Sequence, residues 1–366
     1  MMTEQAKKAV SRWLYILSAI IVGLVIFGGY VRLTRSGLSI VEWNVISGVL
    51  PPLGETAWME EFAKYQQTPE FIKVNAEMTL EGYKRIFYLE YIHRLIARLA
   101  GLAVILPLGW FLIRGTIPWR KSGIYIAIAL LFILQGFMGW YMVSSGLVDR
   151  PTVSHYRLTI HLALALFLLG VTLWTAFNLT YGSGVRKRRK GSSYWLTVVL
   201  LATLVIQILY GGLVAGLKAG HASDTWPLMF GYLIPPGLFS MAATWWHSLL
   251  EAEVVVHFTH RWFAWIVLMA SIVLYFAARR RYSTTVDRAL VWMMALVAFQ
   301  ITLGVSVIWF HVPIVLALSH QATALLLFVV ALFLNHRILG EAANVPVRTA
   351  TAAGVPVPHH RRQEAH

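Results

Sequence analysis

The sequence predicts an all-α integral membrane protein, with eight transmembrane helices arranged as two tandem four-helix bundles of the same topology. Three observations lead there. Apolar residues make up 58% of the 366-residue chain against 13% charged, eight stretches are long enough to cross a bilayer, and a set of residues in the first half returns in the second. A mean hydropathy of +0.65 does not fit a soluble or disordered chain, or a coiled coil. Cysteine is absent. That excludes disulfides, iron-sulfur clusters and thiolate chemistry, and leaves histidine and carboxylate as metal ligands.

About 20 apolar residues span a hydrocarbon core of roughly 30 Å. The stretches that qualify run from Trp13 to Tyr30, Phe87 to Ile113, Ile124 to Met142, Leu158 to Leu179, Tyr194 to Val214, Val254 to Ala277, Ala289 to Phe310 and Val315 to Leu334. The first follows Lys7, Lys8 and Arg12 but is long and has no small-residue cleavage site, so it reads as a retained helix rather than a signal peptide. Eight spans put both termini on one side, with the connections Arg114 to Lys121, Arg186 to Lys190 and Arg279 to Arg288. This side holds most of the 31 lysines and arginines, which makes it cytoplasmic. The net charge of +15 then reflects topology and anionic lipid, with no nucleic-acid partner. The expected organisation is a cytoplasmic N-terminal segment (1–12), two four-helix halves (13–180 and 194–337), a basic linker (181–193) and a disordered tail (338–366). The histidines of that tail, His359, His360 and His366, are not expected to be ligands.

Repetition supports the two halves. Gly28-Gly29-Tyr30-Val31, Arg35, Gly37 and Trp43 return 183 residues later as Gly211-Gly212-Leu213-Val214, Lys218, Gly220 and Trp226, and both stretches run on to a Pro-Pro pair. Tyr91-Ile92-His93-Arg94 matches Phe258-Thr259-His260-Arg261, Gln135 with Gly139 matches Gln300 with Gly304, and His161 matches His320. Each unit has an even number of spans, so the halves share one orientation about an axis along the membrane normal.

The repeat brings out His93, His161, His260 and His320, all early in even-numbered spans and hence in the outer leaflet. An intramembrane histidine needs a partner, and zinc would require further ligands. Two imidazoles on facing helices suit the axial positions of a haem iron. Haem propionates call for cations near the water boundary, and Arg94, Arg98, Arg157 and Arg261 are the candidates; the alternative is interfacial arginines that snorkel. One asymmetry stands out. Glu90 lies three residues before His93 and shares its helix face, whereas the residue before His260 at the same spacing is His257. One half would have an acid or base beside its iron, the other a spectator haem. The competing reading pairs Glu90 structurally with Arg94 or Lys84. His155, His221 and His247 read as solvated or structural, and His311 and His336 as interfacial.

Several stretches together resemble the haem A synthase family, in the branch found in mitochondria and many proteobacteria. They are the run from Gly28 to Ser39, Trp43, Pro51-Pro52, Tyr83 to Ile86, Glu90 to Arg94, Tyr156 to Leu158, His161-Leu162, Ala215-Gly216, Trp226 to Met229, Gly231 and His260-Arg261. The likeness spans nearly all of residues 10 to 337. It implies oxidation of a ring methyl of haem O to a formyl by successive hydroxylation, giving haem A for cytochrome oxidase, in a bacterial inner membrane. It further implies that His260 and His320 ligate a stable haem b, that His93 and His161 frame the haem O substrate, and that Glu90 is the essential acid. A haem O synthase and an electron donor are expected partners beside membrane lipid, and a homo-oligomer stays open. The paired cysteines of another branch are missing, and His257 departs from the pattern. Two other readings use the same residues: a bis-histidine membrane cytochrome for electron transfer, which gives Glu90 no reason, and a transporter, which favours broken helices and a midplane site.

Overall fold

The computed structural model describes residues 2–44, 47–182, 191–240 and 244–341; the basic stretch Arg186 to Lys190 and the tail histidines lie outside the described residues. Within the described residues eleven α-helices run in order: α1 (Glu4–Leu33), α2 (Gly54–Gln66), α3 (Pro69–Val74), α4 (Leu80–Ile113), α5 (Gly123–Ser144), α6 (His155–Tyr181), α7 (Ser192–Leu217), α8 (Trp245–Glu251), α9 (Glu253–Ala278), α10 (Thr284–Trp309) and α11 (Ile314–Gly340). Among the described residues there is no β-strand beyond one isolated bridge, Met229 to Tyr232. Among the described residues, eight helices of 22 to 34 residues are long and apolar enough to cross a membrane: α1, α4, α5, α6, α7, α9, α10 and α11. The protein is a multi-pass membrane protein.

The helices extend past the apolar stretches read from the sequence because hydropathy stops at the first charges while helical hydrogen bonding continues to a cap. Thr3 accepts from the Ala6 N–H to open α1 with Glu4 in its first turn, and Thr79 accepts from Gly82 to open α4 with Glu81. Both arrangements satisfy orphan donors and complement the positive end of the helix.

Helices α1, α4, α5 and α6 touch in a closed ring, and α7, α9, α10 and α11 form a second. The rings meet where α6 packs on α7 and α11, and where α11 reaches α1. Here His336 differs from expectation. It is buried, with Nε2 3.0 Å from Asn178 Oδ1 and its ring among Trp174 and Phe177. The reason is that α11 continues beyond its apolar stretch and carries residue 336 against α6 instead of into the interface with water. On the face opposite the termini, called here the far face, α2 and α3 fold over α4 through a small core of Trp58, Phe62, Tyr65, Tyr83 and Phe87. That cap was read in the sequence only as part of a loop.

Glycines set the distance between the rings. A β-carbon at Gly216 in α7 would fall 2.6 Å from the backbone Cα of His155 at the start of α6, whereas one at Gly101 in α4 would meet nothing within 4 Å. Gly216→Ala should therefore lower stability by about 1–3 kcal/mol by overpacking, while Gly101→Ala should be neutral or stabilising through helix propensity. Thermal unfolding of both variants in one detergent, followed by intrinsic fluorescence, checks this.

Candidate functional site

All four repeat histidines face a glycine on the preceding transmembrane helix. A β-carbon at Gly28 would lie 3.2 Å from His93 Nε2, and one at Gly139 3.4 Å from the His161 ring. At Gly211 the distance to the His260 ring is 3.3 Å, and at Gly304 to the His320 ring 3.0 Å. A methyl group at Gly28, Gly211 or Gly304 would push the imidazole away by a few tenths of an ångström, so glycine lets the ring lie close to the neighbouring backbone. One turn before each glycine stands Leu24, Gln135, Gln207 or Gln300. Gln135 Nε2 approaches both ring nitrogens of His161 at 3.3 and 3.4 Å, Gln207 Nε2 lies 3.2 Å from His260 Nδ1, and Gln300 Nε2 lies 3.3 Å from His320 Nε2. His93 has a backbone hydrogen bond with Leu24, as His260 has with Gln207 and His320 with Gln300.

The ring centroids of His260 and His320 are 6.4 Å apart at 73°. Two nitrogen-to-metal bonds of about 2 Å each, plus the ring radii, come to ~6 Å, the separation of two axial imidazoles on one iron. Among the described residues no three His, Asp or Glu gather as a metal site, so a carboxylate-completed zinc centre has no support. The donor set fits a haem: facing imidazoles in apolar helices, with Phe27 6.0 Å from His93 on the other side.

Arg94 and Arg261 play matching parts at the far face. Arg94 donates to the carbonyls of Ile40 and Glu42 at 3.0 Å each and lies 4.6 Å from the Trp43 ring. Arg261 donates to the carbonyls of Thr225 and Leu228 and lies 5.0 Å from the Trp226 ring. Glu42 and Thr225, like Trp43 and Trp226, are 183 residues apart. Both arginines are buried and pin the loop that follows the glycine pair, and Arg261 keeps a buried Nη1 without a partner. Arg98 donates to the Asn44 carbonyl at 2.8 Å; Arg157 donates to the Tyr141 carbonyl at 2.8 Å and covers that ring.

Glu90 is buried and held by four donors: the Ser39 N–H at 2.8 Å, the Ser39 hydroxyl at 2.7 Å, the Ile40 N–H at 3.0 Å and Arg94 at 2.7 Å. Lys84 pairs with Glu81 and takes no part. His257 is equally buried, but its Nδ1 has no partner. Of the remaining histidines, His221 and His311 line an open far-face cavity of about 380 Å³ with Asp224, and His247 is half-buried beside the Thr244 hydroxyl.

A family model for COX15-CtaA, cytochrome oxidase assembly protein, matches residues 11–332. The chain belongs to this family. Its relatives include a haem A synthase of Nitrosospira multiformis, 42% identical over 91% of this chain and 94% of the relative. Another, from Paramagnetospirillum magneticum, is 42% identical over 90% and 94%, and one from a Wolbachia of Brugia malayi is 41% identical over 89% and 96%.

Two features escaped the sequence reading. Gln207 shares the Gln-x-x-x-Gly spacing of Gln135 and Gln300, a signal that was present in span five. Glu70, on α3, gives no sequence signal, because its burial depends on the far-face cap. Burial and the nearby Glu90 push its carboxyl up to about 7 from an ordinary 4.5, against the pull of Arg35 and Lys218. The stability supplied by neutral Glu70 is complete below pH 4.5 and lost as pH rises through 7. Glu70→Gln should match the wild type at pH 4.5 and be more stable than it at pH 8, as measured by thermal unfolding at both pH values.

Proposed function

We propose that this chain is a haem A synthase of a bacterial inner membrane, with its termini in the cytoplasm and the far face outward. It oxidises a ring methyl of haem O to a formyl by successive hydroxylation and delivers haem A for cytochrome oxidase. In this reading the first ring of helices takes the haem O substrate between His93 and His161. The second keeps a resident haem b between His260 and His320. Arg94 and Arg261, with Arg98 and Arg157 nearby, meet propionates where the helices reach water, and the unpartnered Nη1 of Arg261 supports that role.

One observation carries the reading over an electron-transfer cytochrome. The two histidine pairs lie in matching glycine grooves, yet the residue one turn before the even-span histidine is a carboxylate in one half and an imidazole, His257, in the other. A pure cytochrome has no use for that difference. A transporter is disfavoured because the spanning helices run through without a break at midplane.

When bound, the haem iron supplies the redox chemistry. The chain's own residues orient the substrate and handle protons. Glu90 sits one turn from His93, its carboxylate aimed by the loop N–H groups and by Arg94, so its oxygens hold a fixed position beside the substrate site. The Ser39 hydroxyl donates to Oε2 and ties Glu90 to the far-face loop. The methyl oxidation needs an oxidant, with an electron donor where that oxidant is dioxygen, and a haem O synthase would supply the substrate.

Glu90→Gln should leave haem b at wild-type content while haem A formation falls by about 10²-fold or more, with the partly oxidised alcohol accumulating; His257→Gln should be far milder. Chromatography of haems extracted from cells at matched protein level reads both. Normal haem A from Glu90→Gln overturns the assignment of Glu90. His260→Ala and His320→Ala should each abolish the low-spin haem b spectrum, which His221→Ala should preserve.

A further inference from the structure

The turn between α9 and α10, on the face that carries the termini, gathers three arginines around an open cavity of about 410 Å³. Arg279 caps α9 and lies 5.1 Å over the Tyr275 ring, Arg280 follows it with a left-handed φ of 61°, and Arg288 stands one turn into α10. The carboxylates nearby are already engaged. Asp287 Oδ1 accepts from the Arg280 backbone N–H at 2.8 Å, which braces the turn. Glu341 pairs with Arg337 and accepts from the Ser283 N–H and hydroxyl at 3.1 and 3.0 Å. Among the described residues no carboxylate lies within ion-pair distance of Arg279, Arg280 or Arg288. Three guanidiniums and the single carboxylate of Asp287 give the cavity a net of two positive charges, to which the positive end of α10 adds.

Like charges gathered without a counter-ion repel one another, and a phosphate entering from outside relieves that repulsion while accepting charge-assisted hydrogen bonds from the guanidiniums. The walls distinguish the source of the phosphate. Val291 and Trp292 line the same cavity, 54% and 65% exposed, on a helix that crosses the membrane. They follow Thr284 by seven and eight residues and so lie about 11 Å deeper at ~1.5 Å per residue. A free phosphate would leave these apolar surfaces bare. A phospholipid uses both levels, its phosphates among the arginines and its acyl chains along Val291 and Trp292, with the indole in the interfacial layer that tryptophan favours. We propose that this cavity binds an anionic phospholipid, and that its two net charges select a headgroup with two phosphodiesters over one with a single phosphodiester. Bound there, the lipid ties the ends of α9 and α10, an edge of the second ring that no histidine groove closes.

Native mass spectrometry of the purified, delipidated full-length protein tests this by titration with cardiolipin, phosphatidylglycerol and phosphatidylcholine, with inorganic phosphate as competitor. Cardiolipin should bind about 30-fold tighter than phosphatidylcholine, at about fivefold for each net charge, with phosphatidylglycerol between them. Millimolar inorganic phosphate should leave cardiolipin bound. The double variant Arg280→Gln with Arg288→Gln should lose the roughly 30-fold preference. A control with the same loss of charge, Arg120→Gln with Lys121→Gln in the turn between α4 and α5, should keep it. An unaltered preference in the Arg280 and Arg288 variant overturns the proposal, and so does an equal loss in the control. Displacement of cardiolipin by inorganic phosphate would make this a site for the free ion and overturn the lipid assignment. Should the Arg280 and Arg288 variant fail to fold, the wild-type protein decides: a preference for cardiolipin that inorganic phosphate does not displace supports the site, and equal binding of cardiolipin and phosphatidylcholine refutes it.

Discussion

An imidazole inside a bilayer has no water to bond, and leaving its polar nitrogens unpaired there costs several kcal/mol. Each of the four repeat histidines meets that constraint by lying in a groove opened by a glycine on the neighbouring helix, where backbone or amide groups one turn away can reach the ring. The grooves bring α1 to α4, α5 to α6, α7 to α9 and α10 to α11 at close range, and those four pairs are half of the edges of the two rings of helices.

The paired glycines of α1 and α7 divide their work between the rings. Gly28 and Gly211 receive the histidines of their own ring, while Gly29 and Gly212 receive residues that follow a histidine of the other. A β-carbon at Gly29 would lie 2.2 Å from Gln321 Oε1, and one at Gly212 3.2 Å from the Leu162 side chain. Gln321 next to His320 also donates to the Val25 carbonyl of α1 at 2.7 Å. The two histidine sites are therefore joined by a few residues of packed chain. At the far face Arg94 and Arg261 transmit the same order outward, each tying its loop and tryptophan to the helix that carries the histidine. Glu90 belongs to this framework as well as to the proposed chemistry: its four donors hold the loop at Ser39 and Ile40 over the first ring.

Much of this was legible in the sequence because it rests on spacing. Eight apolar stretches marked the helices, and the repeat singled out the glycines and tryptophans, 183 residues apart, and Arg94 with Arg261, 167 apart, that share roles in space. Gln135 and Gln300 were visible through the same repeat. What was not legible depends on long-range folding. The α2 and α3 cap carries no hydrophobic run long enough to announce it, and its burial of Glu70 follows from contacts with α4. His336 looked interfacial because its neighbours in sequence are polar, whereas its neighbours in space are Trp174, Phe177 and Asn178. The competing structural role of Glu90 was foreseen through Arg94, but the larger part of its hydrogen bonding comes from Ser39 and Ile40, some fifty residues away.

The central claim is that two facing imidazole pairs serve two different haems, one resident and one passing through as substrate. Extracting and chromatographing the haems of the wild-type protein, purified from cells that make haem O, tests it most directly, alongside a reduced-minus-oxidised spectrum of the intact protein. Haem b together with haem O or haem A, and a low-spin bis-imidazole spectrum, is the expected result. Haem b as the sole extracted haem would contradict the claim and return the chain to the class of electron-transfer cytochromes, and an absence of haem would contradict it altogether.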